Sequence, residues 1–279
     1  MGSTRKQRGG AGLLPLGRRS TGPLMLVAAI SGVYGLLLGS FANVVIHRVP
    51  AGHSVVRPPS ACPSCDTAIG ALDNIPVFSW LLLRGRCRHC GTPISARYPL
   101  VEAGTAILCA VVGVSIGLTW ELPAFLFFTW ALVALSVIDL DTHRLPNALL
   151  YPCMAISAVL LLAAGVLDGD TRSLVEAAAG GALGFGIMLV VWFIARGGLG
   201  YGDVRFSGYL GLHLGYLTLG HVPLGLFLGF FAGSLAGVVL MGVLGRGRKH
   251  KLAFGPSLAV GALAAVLVGQ PLIDLYLGR

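Results

Sequence analysis

Acidic side chains are scarce in this chain: Asp and Glu together number 11 in 279 residues, and charged residues of both signs make up only 11%. With 55% hydrophobic residues and a mean hydropathy of +0.82, a soluble domain of this length would expose apolar patches too large to stay in solution. A soluble fold is excluded on that ground. A long basic tract is missing as well. The 20 Lys and Arg give a formal net charge of +9, but they are scattered in short segments between apolar stretches. The charge therefore points to membrane topology and a lipid bilayer as partner, not to nucleic acid.

Long apolar runs are abundant. A hydrocarbon core of about 30 Å needs roughly 17 to 25 such residues at a helical rise of about 1.5 Å. Eight runs qualify, near residues 24–46, 98–118, 121–139, 147–167, 174–195, 204–220, 222–244 and 252–275. The sixth, containing SGYLGLHLGYLTLG, is the weakest because it carries Gly, His and Thr, and it reads as a short or broken helix. The fold class that follows is an all-α polytopic membrane protein with about eight transmembrane helices and a long loop between the first two.

With eight spans, the loop at 47–97 shares a side with residues 140–146, 196–203 and 245–251. That side holds 13 of the 20 Lys and Arg, counting Arg205 just inside its span. Of the other seven, five lie in the N-terminal tail: Arg5, Lys6, Arg8, Arg18 and Arg19. The positive-inside rule puts the 47–97 loop in the cytoplasm. The basic tail at 1–23 runs against that orientation, and a native start at Met25 would remove the conflict. The first apolar run is long enough to span and has no persuasive small-residue cleavage site, so it reads as a retained helix and not a signal peptide.

Four of the six cysteines form two pairs, Cys62 and Cys65 in ACPSCDT, then Cys87 and Cys90 in GRCRHCGT. Each CxxC turn presents two thiolates, and two such turns close a tetrahedral sulfur site suited to zinc. Soft sulfur excludes magnesium or calcium, and four protein ligands leave no open position, so the metal would be structural. The alternative is a pair of disulfides or unpartnered thiols, and the cytoplasmic side favours reduced, metal-binding cysteines. His89 lies between the last two cysteines, but the four-sulfur set is complete without it. The intervening stretch with Asn74, Pro76 and Trp80 is apolar, and rests either on the membrane surface or on the knuckle. Cys109 and Cys153 fall inside spans and read as packing residues.

Two aspartates sit where long apolar stretches run out: Asp139 in VIDLDTHRLPN and Asp203 in GLGYGDVRFSG. An ionisable group at a helix centre costs about 2.5 to 3.5 kcal/mol on insertion scales, so function is its default explanation. The competing reading is an interfacial residue or helix cap, which fits Asp141 well and fits Asp139 and Asp203 together less well. Gly197, Gly198, Gly200 and Gly202 argue against a regular helix before Asp203 and suggest a broken entrance lined by protein or water. GGLGYGD lacks the Lys and Ser/Thr of a P-loop and places a carboxylate where an anion would be repelled, which argues against nucleotide binding there. Both aspartates lie on the cytoplasmic side of an eight-span chain. Two carboxylates that approach closely share one proton and titrate as a unit. One can then take a proton from water while the other donates to a carbonyl oxygen, which hydrolyses a peptide without a covalent intermediate.

From about Gly39 to Pro256 the chain resembles the type IV prepilin peptidases, the bacterial leader peptidases of pilus and type II secretion systems. The resemblance rests on several motifs in order: GSFANVVIHRVP at 39–50, both CxxC pairs, NIPVFSWLLLRGRCRHCGTPISARYPLVE at 74–102, DLDTHRLPN from Asp139, GYGD ending at Asp203, and FGPSLA from Phe254. It implies that Asp139 and Asp203 are the catalytic dyad of an aspartyl endopeptidase. It further implies removal of a short basic leader from prepilins or pseudopilins, after a glycine and before their hydrophobic segment, at the cytoplasmic membrane face. Many members that resemble this long form also methylate the new N-terminus with S-adenosylmethionine, and the cysteine loop is linked with that longer form. No methyl-donor site is legible, although Glu102 and residues 39–43 are polar candidates that read equally well as packing.

Two positions depart from the family pattern. Arg205 stands where a Lys commonly follows the GxGD aspartate, which keeps the charge and changes its geometry. Asn147 stands where Asp is frequent and can still start a helix. The resulting organisation is a basic tail at 1–23, an N-terminal membrane region at 24–119 with the cysteine loop at 47–97, and a peptidase region at 120–279. The rival from another class is a proton-coupled transporter, which also uses paired intramembrane carboxylates and broken helices. Its internal repeats are not evident between the two halves.

Overall fold

The computed structural model describes residues 21–196, 198–243 and 253–278. Most of the basic tail, Gly197, and the cations Arg246, Arg248, Lys249 and Lys251 lie outside the described residues. Long helices dominate: α1 (Thr21–Arg48), a short α2 (Phe78–Leu82), α3 (Arg97–Ile116), α4 (Leu122–Thr142), α5 (Asn147–Leu167), α6 (Thr171–Ala195), α7 (Tyr201–Leu217), α8 (His221–Val243) and α9 (Gly255–Leu277). Among the described residues, β structure is limited to two isolated bridges, Ala61 with Ala68 and Arg86 with Pro93.

Over its described residues, each apolar run carries one long helix, because a chain crossing lipid must satisfy its backbone internally. Seven of the long helices are long and apolar enough to span, all except α7. At 17 residues, α7 is about 25 Å long for a rise of about 1.5 Å per residue. Twelve of its residues are buried, so α7 is enclosed by neighbouring helices and need not meet lipid along its length. The breaks are local. Gly117 at φ 82° ends α3, His143 in the left-handed region ends α4, and Asp170 caps α6 by accepting from Ser173 N–H at 3.1 Å.

Small residues set the helix pairing. A Cβ on Gly211 of α7 would stand 2.2 Å from the Gly180 carbonyl oxygen of α6, and one on Gly215 would stand 2.4 Å from the Glu176 carbonyl oxygen. On α9, a Cβ at Gly261 would meet the backbone nitrogen of Gly229 in α8 at 2.2 Å. Gly35 and Gly39 likewise bring α1 close to α3, where a Cβ would stand 2.7 Å from Ala106 Cα and 2.8 Å from Glu102 Cα. Lipid offers no hydrophobic gain for helix pairing, so such close backbone contact is what holds these pairs together. The most deeply buried span is α4, which packs against α1, α3, α5 and α9. It meets α7 through a layer of rings, with Phe125 and Phe128 against Tyr209 and His213.

The cysteine loop and residues 140–146 were expected at one end of the bundle, and the ends of the spans agree on that point. The Arg97 guanidinium at the start of α3 pairs with Asp141 near the end of α4. The cysteine loop therefore lies at the same end of the bundle as the α4–α5 turn. Two of the boundaries that differ from the sequence reading bear on the aspartates. The third span was expected to end at Asp139, but α4 continues to Thr142, whose hydroxyl donates to the Ile138 carbonyl at 2.8 Å. Asp139 thus sits one turn inside the helix. The glycine-rich entrance was expected to stay irregular up to Asp203, but α7 already begins at Tyr201, with extended Gly200 as its N-cap and Asp203 in its first turn.

Candidate active site

Asp139 and Asp203 come from separate helices and are both buried, at 5% and 8% exposure. The C-terminal turn of α4 and the N-terminal turn of α7 lie at one end of the bundle, where Leu145 of the α4–α5 turn packs on Gly202, 3.4 Å from where a Cβ would stand.

A third helix completes the surroundings. The Gly255 N–H at the start of α9 donates to Asp139 Oδ2 at 2.9 Å. A Cβ at Gly255 would lie 2.8 Å from that oxygen, so only glycine lets the helix end approach this closely. The amino end of α9 carries partial positive charge, which favours an anionic carboxylate there. Gly200 crowds the other acid in the same manner, its absent Cβ standing 3.3 Å from Asp203 Oδ2.

Two residues after Asp203, Arg205 points away from the pair. Its guanidinium donates to Asn147 Oδ1, lies 3.5 Å from the Tyr151 hydroxyl, and sits 5.1 Å from the centre of the Tyr201 ring. It ties the first turn of α7 to the first turns of α5. Asp141 is exposed and engaged by Arg97, consistent with an interfacial residue. Sequence reading gave no role to Gly255 or Arg97. FGPSLA was visible as a motif, but nothing in the order of residues says that its glycine touches a side chain 116 positions earlier.

The cysteine loop forms a second cluster. Ligand atoms of Cys62, Cys65, Cys87 and Cys90 all lie within 4.8 Å of one another, and none is in a disulfide. Cys62 Sγ and Cys90 Sγ are 3.7 Å apart, and sulfurs about 2.3 Å from a tetrahedral zinc would be about 3.8 Å apart. The two CxxC turns repeat the same hydrogen bonds. Cys62 N–H donates to Thr67 O at 3.0 Å and Asp66 N–H to Cys62 O at 2.9 Å, while Cys87 N–H donates to Thr92 O at 2.9 Å and Gly91 N–H to Cys87 O at 3.0 Å. The Thr92 hydroxyl and backbone N–H hydrogen-bond the Cys90 sulfur and hold its pKa down at about 6. This donor set fits a metal ion.

The loop is fastened to the spans by Glu102. Its buried carboxylate accepts from Val77 N–H at 2.7 Å and from Asn43 Nδ2 at 3.5 Å. Trp80 closes the knuckle from inside, donating through Nε1 to Ile94 O at 3.0 Å with its ring over Gly85. Cys109 and Cys153 are buried within spans, as packing residues should be.

Fold and site together define a class: multi-pass membrane proteins that bring two acidic side chains from separate helices to one end of the bundle, beside a loop gathered by four cysteines. The bacterial peptidase A24 N-terminal domain matches residues 33–116, and the type IV leader peptidase family matches residues 126–247. The chain is 36% identical to a prepilin leader peptidase/N-methyltransferase of Aeromonas hydrophila, over 88% of this chain and 92% of that protein. It is 34% identical to one of Pseudomonas aeruginosa, over 87% and 91%, and 36% identical to one of Burkholderia pseudomallei, over 92% and 90%. No solved structure matches it. The chain belongs to the type IV leader peptidase family, and is a membrane protease. The transporter reading receives no support from these likenesses.

Proposed function

We propose that this chain is an intramembrane aspartyl endopeptidase that removes the short basic leader of prepilin-like proteins, cutting after a glycine at the cytoplasmic membrane face. The observation that carries this reading is that Asp139 and Asp203, from separate helices, are both buried at the same end of the bundle. Asp139 receives the Gly255 N–H and the positive end of α9, so it is the ionised member and the base that takes a proton from water. Asp203 carries the shared proton and donates it to the scissile carbonyl oxygen. Water attacks the carbonyl carbon, and the resulting tetrahedral species collapses as the proton moves to the leaving nitrogen, which frees the new N-terminus.

The Lys/Arg asymmetry supports a cytoplasmic position for the dyad and the cysteine loop in the inner membrane. The four cysteines would hold zinc as a structural ion, since four thiolates leave no position for substrate or water. The name of the relatives, prepilin leader peptidase/N-methyltransferase, supports a second activity, N-methylation of the newly exposed amino group. S-adenosylmethionine would supply the methyl group, and no residues of this chain are assigned to it. The break between the two family matches, after 116 and before 126, supports dividing the chain into an N-terminal region at 24–119 and a peptidase region at 120–279.

The test is cleavage of a synthetic prepilin by purified Asp139→Asn and Asp203→Asn variants in nanodiscs, with and without methyl donor. Each substitution should lower the rate at least about a hundredfold while the protein stays folded. Cleavage at the unsubstituted rate by either variant would exclude the dyad.

A further inference from the structure

The cysteine loop carries an apolar face that its own packing does not use. Around α2, the side chains that turn inward are already engaged: Ser79 Oγ donates to Leu72 O at 2.8 Å, and Trp80 is locked on the knuckle through Ile94 and Gly85. The outward side is bare. Leu72 is 79% exposed and Leu82 84%, with Ile75, Phe78 and Leu81 exposed beside them. Burying a side chain of this kind contributes about 1.5 to 3 kcal/mol; Phe78, Leu81 and Leu82 recur at helical spacing on α2, and five such residues left in water between positions 72 and 82 would be a large and unexplained cost.

The position of this face says what covers it. Val77, immediately before α2, donates its N–H to Glu102, and Glu102 is the sixth residue of α3, which starts at Arg97. At a rise of about 1.5 Å per residue this point lies about 7.5 Å into the span. The start of α2 is therefore held at the depth of the bilayer rim, not out in the aqueous loop. Just beyond α2 come Arg84 and Arg86, both exposed, and neither makes an ion pair among the described residues. Asp73, the acid nearest this face in sequence, is taken by Arg88 at 2.6 Å. An apolar face followed by free cations at that depth matches an interfacial element on an anionic lipid surface.

We propose that α2 and the turn before it lie in the interfacial layer of the same bilayer that the spans cross, with the apolar face among the upper acyl chains and Arg84 and Arg86 on anionic phospholipid headgroups. This contact makes the cysteine loop a plate seated on the membrane beside the dyad. It does not depend on the peptidase reading.

The experiment uses the full chain in nanodiscs of phosphatidylcholine with phosphatidylglycerol, carrying the photo-crosslinker p-benzoylphenylalanine at position 78 or 82. Irradiation followed by mass spectrometry should find phospholipid adducts at both positions. In the same discs, Arg84→Gln and Arg86→Gln should each lower the phosphatidylglycerol share of the adducts, by up to about fivefold. Thermal unfolding identifies folded samples. Absence of lipid adducts in folded protein, adducts with no headgroup preference in either background, or crosslinks that go instead to a second chain or to added prepilin would overturn the proposal.

Discussion

Gly255 and Asp139 are joined by a 2.9 Å hydrogen bond from the first turn of α9 to the last turn of α4, and a methyl group at Gly255 would stand 2.8 Å from the carboxylate oxygen it serves. The same glycine supplies the donor and keeps the space open. Gly255→Ala should therefore push the two helix ends apart and misplace Asp139, although alanine is an acceptable helix residue. A displacement of about 1 Å at a reacting group can cost about a hundredfold in rate. The expected result is a fall in kcat of that order with little change in KM or in thermal unfolding. An unaltered kcat would show that the hydrogen bond has no part in placing the base.

Arg205 should act on the rate without touching substrate. It lies on the side of α7 away from Asp203 and bonds Asn147, so its loss loosens the turn that presents the acid. A charge-assisted hydrogen bond contributes roughly 1.5 kcal/mol or more, so Arg205→Ala should lower kcat/KM by about tenfold. Lys at this position keeps the charge but cannot span both Asn147 and Tyr151, and should fall between. The double variant with Asn147→Ala is the check. Effects that multiply independently would mean that the two residues do not act through one contact.

How far the sequence could be read follows from which forces are local. Span positions came within a few residues because bilayer thickness fixes the length of each apolar run. The four cysteines were legible because CxxC spacing alone puts two sulfurs in one turn. The end of α4 was misjudged by three residues since Thr142 bonds backward to Ile138, while Asp141 is held by Arg97 from another helix. Polar composition at 140–142 suggested a loop, and a tertiary ion pair kept it helical. Gly202 looked like a helix breaker, yet Gly200 takes the cap and Gly202 packs against Leu145. The contact between positions 139 and 255 left no trace in local pattern at all.

In metal-free protein, Cys90 should stay reactive to low pH. Hydrogen bonds from Thr92 hold its pKa at about 6, below the ordinary thiol value. Thiolate is the reactive form, so alkylation of Cys90 by iodoacetamide should persist as pH falls and fade only through about pH 6. The same sign governs stability: the contribution is present above the unfolded thiol pKa and is lost as pH falls through about 6. Thr92→Val should move the alkylation midpoint upward, and bound zinc should block the reaction. Peptide mapping by mass spectrometry gives both midpoints, and an unshifted midpoint in the valine variant would remove Thr92 from the account.

Glu102 should couple the cysteine loop to the membrane bundle. Its carboxylate is buried between α1 and α3 and accepts the Val77 N–H, so Glu102→Ala leaves that donor and Asn43 without this acceptor. An unsatisfied buried donor costs about 1 to 3 kcal/mol. The loss should appear first as local opening, because the knuckle has its own hydrogen bonds and α3 its own packing. Hydrogen exchange at the Val77 amide should accelerate by about tenfold or more, with exchange in the α6–α7 interface unchanged. Glu102→Gln keeps an acceptor oxygen and should lie close to the unsubstituted protein. If alanine and glutamine behave alike, the hydrogen bond to Val77 is not what seats the loop, and packing of α1 on α3 through Gly39 carries that role instead.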